Sequence, residues 1–318
     1  MQGVILDFLK KTDGFVSGDV ISQHLKISRQ ALWKHIQDLK EIGYCIEAVP
    51  HEGYRLAGVP DRLFSFEVAH GLGTKFMGAR VSYLDRVDST MTACVRLAME
   101  GAPEGTVVIA ESQTRGRGRL GRVWDSPKYA GVYLSLLLRP ELAPAQAPLL
   151  TLMTAVSVAE AVEHSCGIAL RIKWPNDLFA GTKKVAGILT ELSAETDRVN
   201  FAVIGVGINV NNEKDALVSG ATSLKEAGGT QVNRLGLVQN LLRGIEKDYC
   251  HMQQRGPRDI LKRWRMRSET IGRRVRVERP KRPVEGKAVD IDADGALLIQ
   301  TDAGKTEKIY AGDVIHCR

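Results

Sequence analysis

Two β-branched and leucine-rich runs, TVVIA at 106–110 and VYLSLLL at 132–138, enclose a segment that suits neither a helix nor a regular strand: Gln113-Thr114-Arg115-Gly116-Arg117-Gly118-Arg119-Leu120-Gly121-Arg122-Val123-Trp124. The runs read as buried strands, so the segment is a strand-to-strand loop. Gly116, Gly118 and Gly121 match G-x-G-x-x-G. A dinucleotide fold needs a helix after those glycines and an acid about 20 residues on, at the end of the next strand, whereas here a strand directly follows the glycines, and Asp125 and Glu141 are misplaced for that role. A Walker loop would need Gly-Lys-Ser/Thr. The kinase pattern extends to Val123, but no VAIK, HRD or DFG element follows. What remains is a flexible glycine-rich backbone carrying Arg115, Arg117, Arg119 and Arg122. Guanidiniums so close together repel one another unless anions lie among them, and arginine grips phosphate bidentately. The segment therefore reads as a loop that closes over a nucleotide triphosphate, with a merely solvated loop as the alternative.

At 318 residues the chain has room for two domains, or three if one is small. Eleven prolines and 31 glycines exclude collagen-like and low-complexity classes. The N-terminus lacks the basic and apolar regions of a signal peptide. The most apolar stretch, 147–162, includes Glu160 and is shorter than a membrane span needs, so it predicts a buried helix. Five scattered cysteines without a CxxC support neither a disulfide framework nor a zinc ribbon and fit a reducing cytoplasm.

The first sixty residues predict two helices joined by a tight turn and followed by a hairpin. Val4, Ile5, Phe8 and Leu9 give helical spacing at the start. Ser17 caps a short amphipathic helix, and Ser28 caps another with Leu32, Ile36 and Leu39 on one face. Its other face carries Arg29, Gln30, Trp33, Lys34 and Gln37, types that contact phosphates and base edges. The segment between Gly18 and Gln37 is thus a candidate helix-turn-helix, with a wing around Pro50-His51-Glu52-Gly53. Seven basic and seven acidic residues make 1–60 neutral, which leaves open a small helical domain with no DNA role.

Further on, Asp88-Ser89-Thr90 opens a helix, and KWPNDL (173–178), KVAGIL (184–189) and GVGINV (205–210) mark successive strands and turns. Together with Gln113 and GRGRLGR, in this order and spacing, these pieces resemble the biotin–protein ligases, in the form that doubles as the biotin operon repressor. The resemblance spans essentially the whole chain. It implies an α+β multidomain fold: a winged helix-turn-helix at 1–60, a central α/β mixed-sheet catalytic domain of class II synthetase type at 61–268, and an SH3-like β-barrel at 269–318. It implies that biotin's carboxylate attacks the α-phosphate of ATP, and that the biotinyl group then passes from biotinyl-5′-adenylate to a lysine of a biotin carboxyl carrier protein. ATP, Mg²⁺ and biotin are the expected small molecules, with biotin also the precursor of a corepressor. Carrier protein and operator DNA are the expected partners, in a cytoplasmic homodimer without membrane attachment.

Residue by residue, the resemblance implies that Lys184, Arg117 and Arg119 act on the reacting carboxylate and phosphate, Lys184 being favoured over its neighbour Lys183. Ser89, Thr90, Met91, Gln113, Arg117, Gly118, Arg119 and Lys184 are the expected biotin-binding residues, with the neutral hydroxyls and amide suited to an uncharged ureido ring. Gly116, Arg122, Trp124, Asn176 and Asn209 are the expected nucleotide-binding residues, and Asp177 a candidate for the metal. Trp124 and Trp174 both have core packing as their simpler reading, although the family places Trp124 beside the ligand, and Asn176-Asp177 has that of a plain turn. Two departures stand out: Met91 where relatives often have Asn, and Leu120 where well-known repressor members have another arginine. A ligand-sensing transcription factor without catalysis and a lipoate-type acyl ligase are the competing functions.

Toward the C-terminus, alternating apolar residues from Val275 to Val314 and a turn at Asp294-Gly295 predict short strands. Residues 255–282 hold twelve basic and three acidic side chains, a surplus of nine against +7 for the whole chain. This run suggests an anionic partner, an acidic carrier or nucleic acid, with a solvated helix face as the alternative.

Overall fold

Three helices open the chain: α1 (Gln2–Lys10), α2 (Gly18–Leu25) and α3 (Arg29–Glu41). The Ser17 hydroxyl accepts from the Asp19 amide at 3.2 Å and the Ser28 hydroxyl from the Ala31 amide at 3.1 Å, so each serine satisfies an otherwise unpaired first-turn N–H. Leu32, Ile36 and Leu39 of α3 and Ile21 of α2 are buried, and α1 buries Ile5, Leu6 and Leu9 while Val4 stays exposed. That face is rotated from the one its spacing predicts. A hairpin of β1 (Cys45–Val49) and β2 (Gly53–Gly58) follows, then a short α4 (Ser65–Ala69). Phe64 stacks on Tyr44, and the buried Glu67 carboxylate accepts from Tyr44 Oη and pairs with Lys10 Nζ, both at 2.5 Å. These ties carry 61–70 into the first compact unit, which ends at His70 rather than at 60.

The computed structural model describes residues 1–278 and 282–316. Its second unit, Gly71–Arg318, holds a seven-stranded mixed sheet. The strands are β3 (Val81–Leu84), β4 (Val107–Ala110), β5 (Gly131–Leu138), β6 (Arg171–Lys173), β7 (Asp177–Ala180), β8 (Lys183–Ala194) and β9 (Val199–Asn209), in spatial order β3-β4-β5-β9-β8-β7-β6. Only β3 and β4 run parallel. All eight residues of β5 are buried, as expected for a central strand covered on both faces. Helix α5 (Thr90–Met99) packs Met91, Cys94 and Ala98 against Val108, Leu137 and Val203. Helix α6 (Pro148–Cys166) is the apolar run seen in the sequence. With the preceding turn it reaches the length and composition of a membrane span, but 72% of its most apolar window is buried inside this unit. After α7 (Leu224–Gly228), α8 (Arg234–Arg255) and α9 (Arg258–Arg267) complete the helical layer. Ser157 of α6 donates to Asp248 of α8 at 2.9 Å.

The last strands, β10 (Arg274–Glu278), β11 (Val284–Ile291), β12 (Leu297–Gln300), β13 (Thr306–Ile309) and β14 (Asp313–His316), form an antiparallel sheet in the order β13-β12-β11-β10-β14. Among the described residues β13 and β14 are its two edges, so hydrogen bonding does not close it into the expected barrel. The basic run meets acids of its own unit. Arg263 sits among Asp248, Glu160 and Asp259, Arg265 on Asp290, Arg267 on Glu163, Arg274 on Asp302, and Arg276 between Glu278 and Glu285. The surplus counted along the sequence is thus largely neutralised in space, and the run no longer calls for an anionic partner. Arg279 and Lys281 lie outside the described residues.

Candidate functional site

The seven-stranded sheet admits a cavity because β8 and β9 carry glycines where other strands carry side chains. Gly187 of β8 pairs with Gly207 of β9, and Gly205 lies two residues along the same strand, so all three open on one face. A Cβ at Gly207 would come within 2.5 Å of Trp124 Cε2, and one at Gly205 within 2.6 Å of Met91 Sδ. The glycines let the Trp124 ring and the Met91 thioether lie directly on the sheet. The cavity volume is about 200 Å³.

Lys184 reaches this face through a β-bulge. Phe179 pairs with Lys184 and Leu178 with Ala186, which leaves Val185 as an extra residue and turns Lys184 to the side of Gly187. Its Nζ lies 2.6 Å from Asp177 Oδ1 and 5.4 Å from the centre of the Trp124 ring. Lys183, one residue earlier, is exposed and outside the cavity lining.

The glycine–arginine loop is an ordered hairpin rather than a loose backbone. Trp124 N–H donates to Gly116 O at 2.9 Å, and Gly118 N–H to Arg122 O at 2.8 Å. At its tip Leu120 adopts φ 55° with its side chain 73% exposed. Each cavity-lining arginine has a protein acceptor. Arg117 faces Glu191, and Arg122 pairs with Asp313. Arg119 donates to Asn176 Oδ1 at 3.1 Å and to Gly312 O at 3.2 Å, and lies 3.7 Å from Asp313. Burial lowers the Arg119 pKa, with Asp313 and Asp177 acting against it. The start of β14 therefore joins the C-terminal sheet to the loop.

Polar groups without charge gather elsewhere in the cavity. Gln113 Oε1 accepts from the Thr90 amide at 2.8 Å and faces its hydroxyl at 3.1 Å, while Nε2 donates to Ser126 Oγ at 2.9 Å. Ser135 donates to Thr90 Oγ1 at 2.9 Å. The Ser89 hydroxyl is buried with no hydrogen-bond partner, and so is Trp124 Nε1.

Of the residues expected at the site, Thr90, Met91, Gln113, Arg117, Gly118, Arg119, Arg122, Trp124, Asn176, Asp177, Lys184 and Asn209 line the cavity. Ser89 and Gly116 stand just behind it, where a Cβ on Gly116 would meet Trp124 O at 2.3 Å. Trp174 belongs to the core and donates to Gly295 O at 3.2 Å. Asp177 begins β7 rather than sitting in a plain turn, and Asn176 Nδ2 donates to Ile188 O at 2.8 Å. The three floor glycines went unassigned in the sequence, although two repeating G-x-G residues in a strand signal a close approach. Ala216, Leu217, Val218 and Ala221 also line the cavity and carried no signal beyond following GVGINV.

In the first unit α3 presents Arg29, Gln30, Trp33 and Lys34 on its exposed side, and Arg29 forms an ion pair with Asp19 of α2.

Comparison with known proteins places these parts together. The Biotin/lipoate A/B protein ligase family model matches residues 83–209, the biotin protein ligase C-terminal domain 270–317, and an HTH domain 2–55. The Bacillus subtilis bifunctional ligase/repressor BirA is 42% identical over 96% of this chain and 95% of its own length. The Escherichia coli protein of the same name is 35% identical over 91% of this chain and 89% of its own. The structure of the Aquifex aeolicus biotin protein ligase in complex with biotin and ATP matches with a TM-score of 0.65 and 31% identity, covering 76% of this chain and 99% of that one.

Proposed function

The chain belongs to the biotin–protein ligase family, in its bifunctional ligase/repressor form, and from that membership we propose how its own residues divide the work. It is an ATP-dependent biotin–protein ligase that also represses transcription through its N-terminal unit. One observation carries the assignment within the cavity: four cations, Lys184, Arg117, Arg119 and Arg122, share its lining with Thr90, Gln113 and the apolar Met91, and Ser126 and Ser135 extend the uncharged network behind Gln113 and Thr90.

That division suits biotin and ATP. The ureido ring takes the uncharged end, where Thr90 and Gln113 supply hydrogen bonds with the partnerless Ser89 hydroxyl behind them, and the thiophane ring lies against Met91. The carboxylate then points to the cations. A biotin carboxylate oxygen attacks the α-phosphorus, the C–O–P bond forms, and the bond to the β-phosphate breaks to release pyrophosphate. Lys184 stabilises the charge that builds on the reacting oxygens. Arg117 and Arg119 leave Glu191 and Asp313 to clamp the adenylate, and Trp124 and Asn209 border the nucleotide. In the second step a carrier lysine amine attacks the acyl carbon, an amide forms and AMP leaves.

Among the described residues no three His, Cys, Asp or Glu gather to hold a metal. Asp177, which lines the cavity beside Lys184, would supply a carboxylate oxygen to Mg²⁺ carried in by the triphosphate. When bound, Mg²⁺ neutralises phosphate charge. A homodimer suits two heads on a palindromic operator, and the free thiols and the use of ATP support a cytoplasmic setting.

Incubation with ATP, Mg²⁺ and either biotin or lipoate tests this reading. Biotin-dependent pyrophosphate release followed by labelling of one carrier lysine is expected; release with lipoate alone, or none with either acid, would overturn it.

A further inference from the structure

The neutral head poses a problem that its reading helix answers. DNA affinity ordinarily draws on phosphate neutralisation, yet residues 1–60 carry no net charge. On α3 the charge of Arg29 is matched by Asp19, and His35 Nδ1 lies 3.7 Å from Asp38. Leu32, Ile36 and Leu39 fill the buried face. The opposite stripe runs from Gln30 through Trp33 and Lys34 to Gln37, at the spacing of one helix face. Trp33 is 57% exposed at the middle of that stripe, and among the described residues no ring stacks on it.

A large apolar ring left in water on the last helix of a segment that matches an HTH domain, the layout that places its second helix in the major groove, points to an apolar target there. The only apolar group that base edges offer there is the 5-methyl of thymine. Gln30 and Gln37, three residues before Trp33 and four after it, are the side-chain type that pairs bidentately with adenine. An A·T pair presents adenine's edge and thymine's methyl together, so one stripe matches both halves of the same pair.

Resting on the reading that the head binds duplex DNA, we propose that Trp33 recognises thymine methyl groups, and that the head selects A·T-rich half-sites through short-range contacts with a shallow dependence on salt.

The test uses the full-length chain. Duplexes are selected from a random pool, and the enriched sequence is resynthesised with deoxyuridine for thymine, which removes the methyl and keeps the pairing. The wild type should bind the uracil duplex about tenfold more weakly, the scale of one good base contact. Trp33→Ala, with its Tm checked against the wild type, should bind both duplexes alike, at the level of the wild type on uracil. Trp33→Phe should recover part of the difference. A wild type indifferent to the replacement, or a Trp33→Ala variant that still senses it, would overturn the proposal while leaving DNA binding intact. If no duplex is enriched, the DNA reading itself fails and Trp33 has no such role.

Discussion

The floor of the cavity and the loop above it are built on opposite principles. The floor is made of strands β5, β9 and β8; the β5–β9 ladder runs unbroken from Gly131–Asn209 to Leu138–Ala202, and the shape of the floor is set by missing side chains at Gly187, Gly205 and Gly207. The loop is set by charge. Its cavity-lining arginines rest on Glu191, Asn176, Gly312 and Asp313 through contacts that are partly exposed and exchangeable. Exposed ion pairs contribute little to stability, so a phosphate can replace those acids at small cost. Covalently fixed shape therefore selects the substrate, while replaceable pairs allow the loop to hold it and let it go.

The largest effect belongs to the cation that the floor strand β8 turns into the cavity. Lys184→Ala should slow adenylate formation about 10²-fold or more, as for loss of a transition-state donor, with pyrophosphate release as the readout. Near-normal release would move the charge stabilisation wholly to the loop.

Filling the floor comes next. Gly207→Ala places a methyl 2.5 Å from the Trp124 ring, and overpacking of this kind costs about 1–3 kcal/mol. Biotin and ATP affinity, measured by calorimetry, should fall by about tenfold on that scale. Unchanged affinities would mean that Trp124 moves freely and that the floor does not fix its position.

Removing the loop's own pairs should do least to the fold. Glu191→Gln frees Arg117 from a partly exposed partner and should change stability by less than about 1 kcal/mol in urea unfolding. A larger loss would mean that the pair holds the hairpin together, contrary to the exchange described above.

Much of this was legible in the sequence because the signals were local. Ser17 and Ser28 announce their helices by capping chemistry, and TVVIA announces a buried strand by composition. The GRGRLGR, KWPNDL, KVAGIL and GVGINV pieces share one cavity, and their common order within a family made that grouping readable. What stayed hidden was set by pairing. The bulge at Val185 that turns Lys184 inward depends on the register of β7 and β8, which no single segment encodes. The arginines of 255–282 look like a basic patch along the chain because their acids, such as Glu160, Asp248, Asp290 and Asp302, lie on other elements. The extension of the first unit to His70 rests on Tyr44 and Glu67, distant in sequence and joined by one buried hydrogen bond.

The division between a shaping floor and a retaining loop is tested most directly by the rate at which biotinyl-5′-adenylate leaves the enzyme. A chase with unlabelled adenylate, run on the wild type and on Arg119→Gly, measures it. Losing one charged grip on a phosphate should speed release by about tenfold or more. Adenylate synthesis should fall far less than in Lys184→Ala, and lysines of bystander proteins should become labelled. Release at the wild-type rate, with labelling confined to the carrier, would contradict the account.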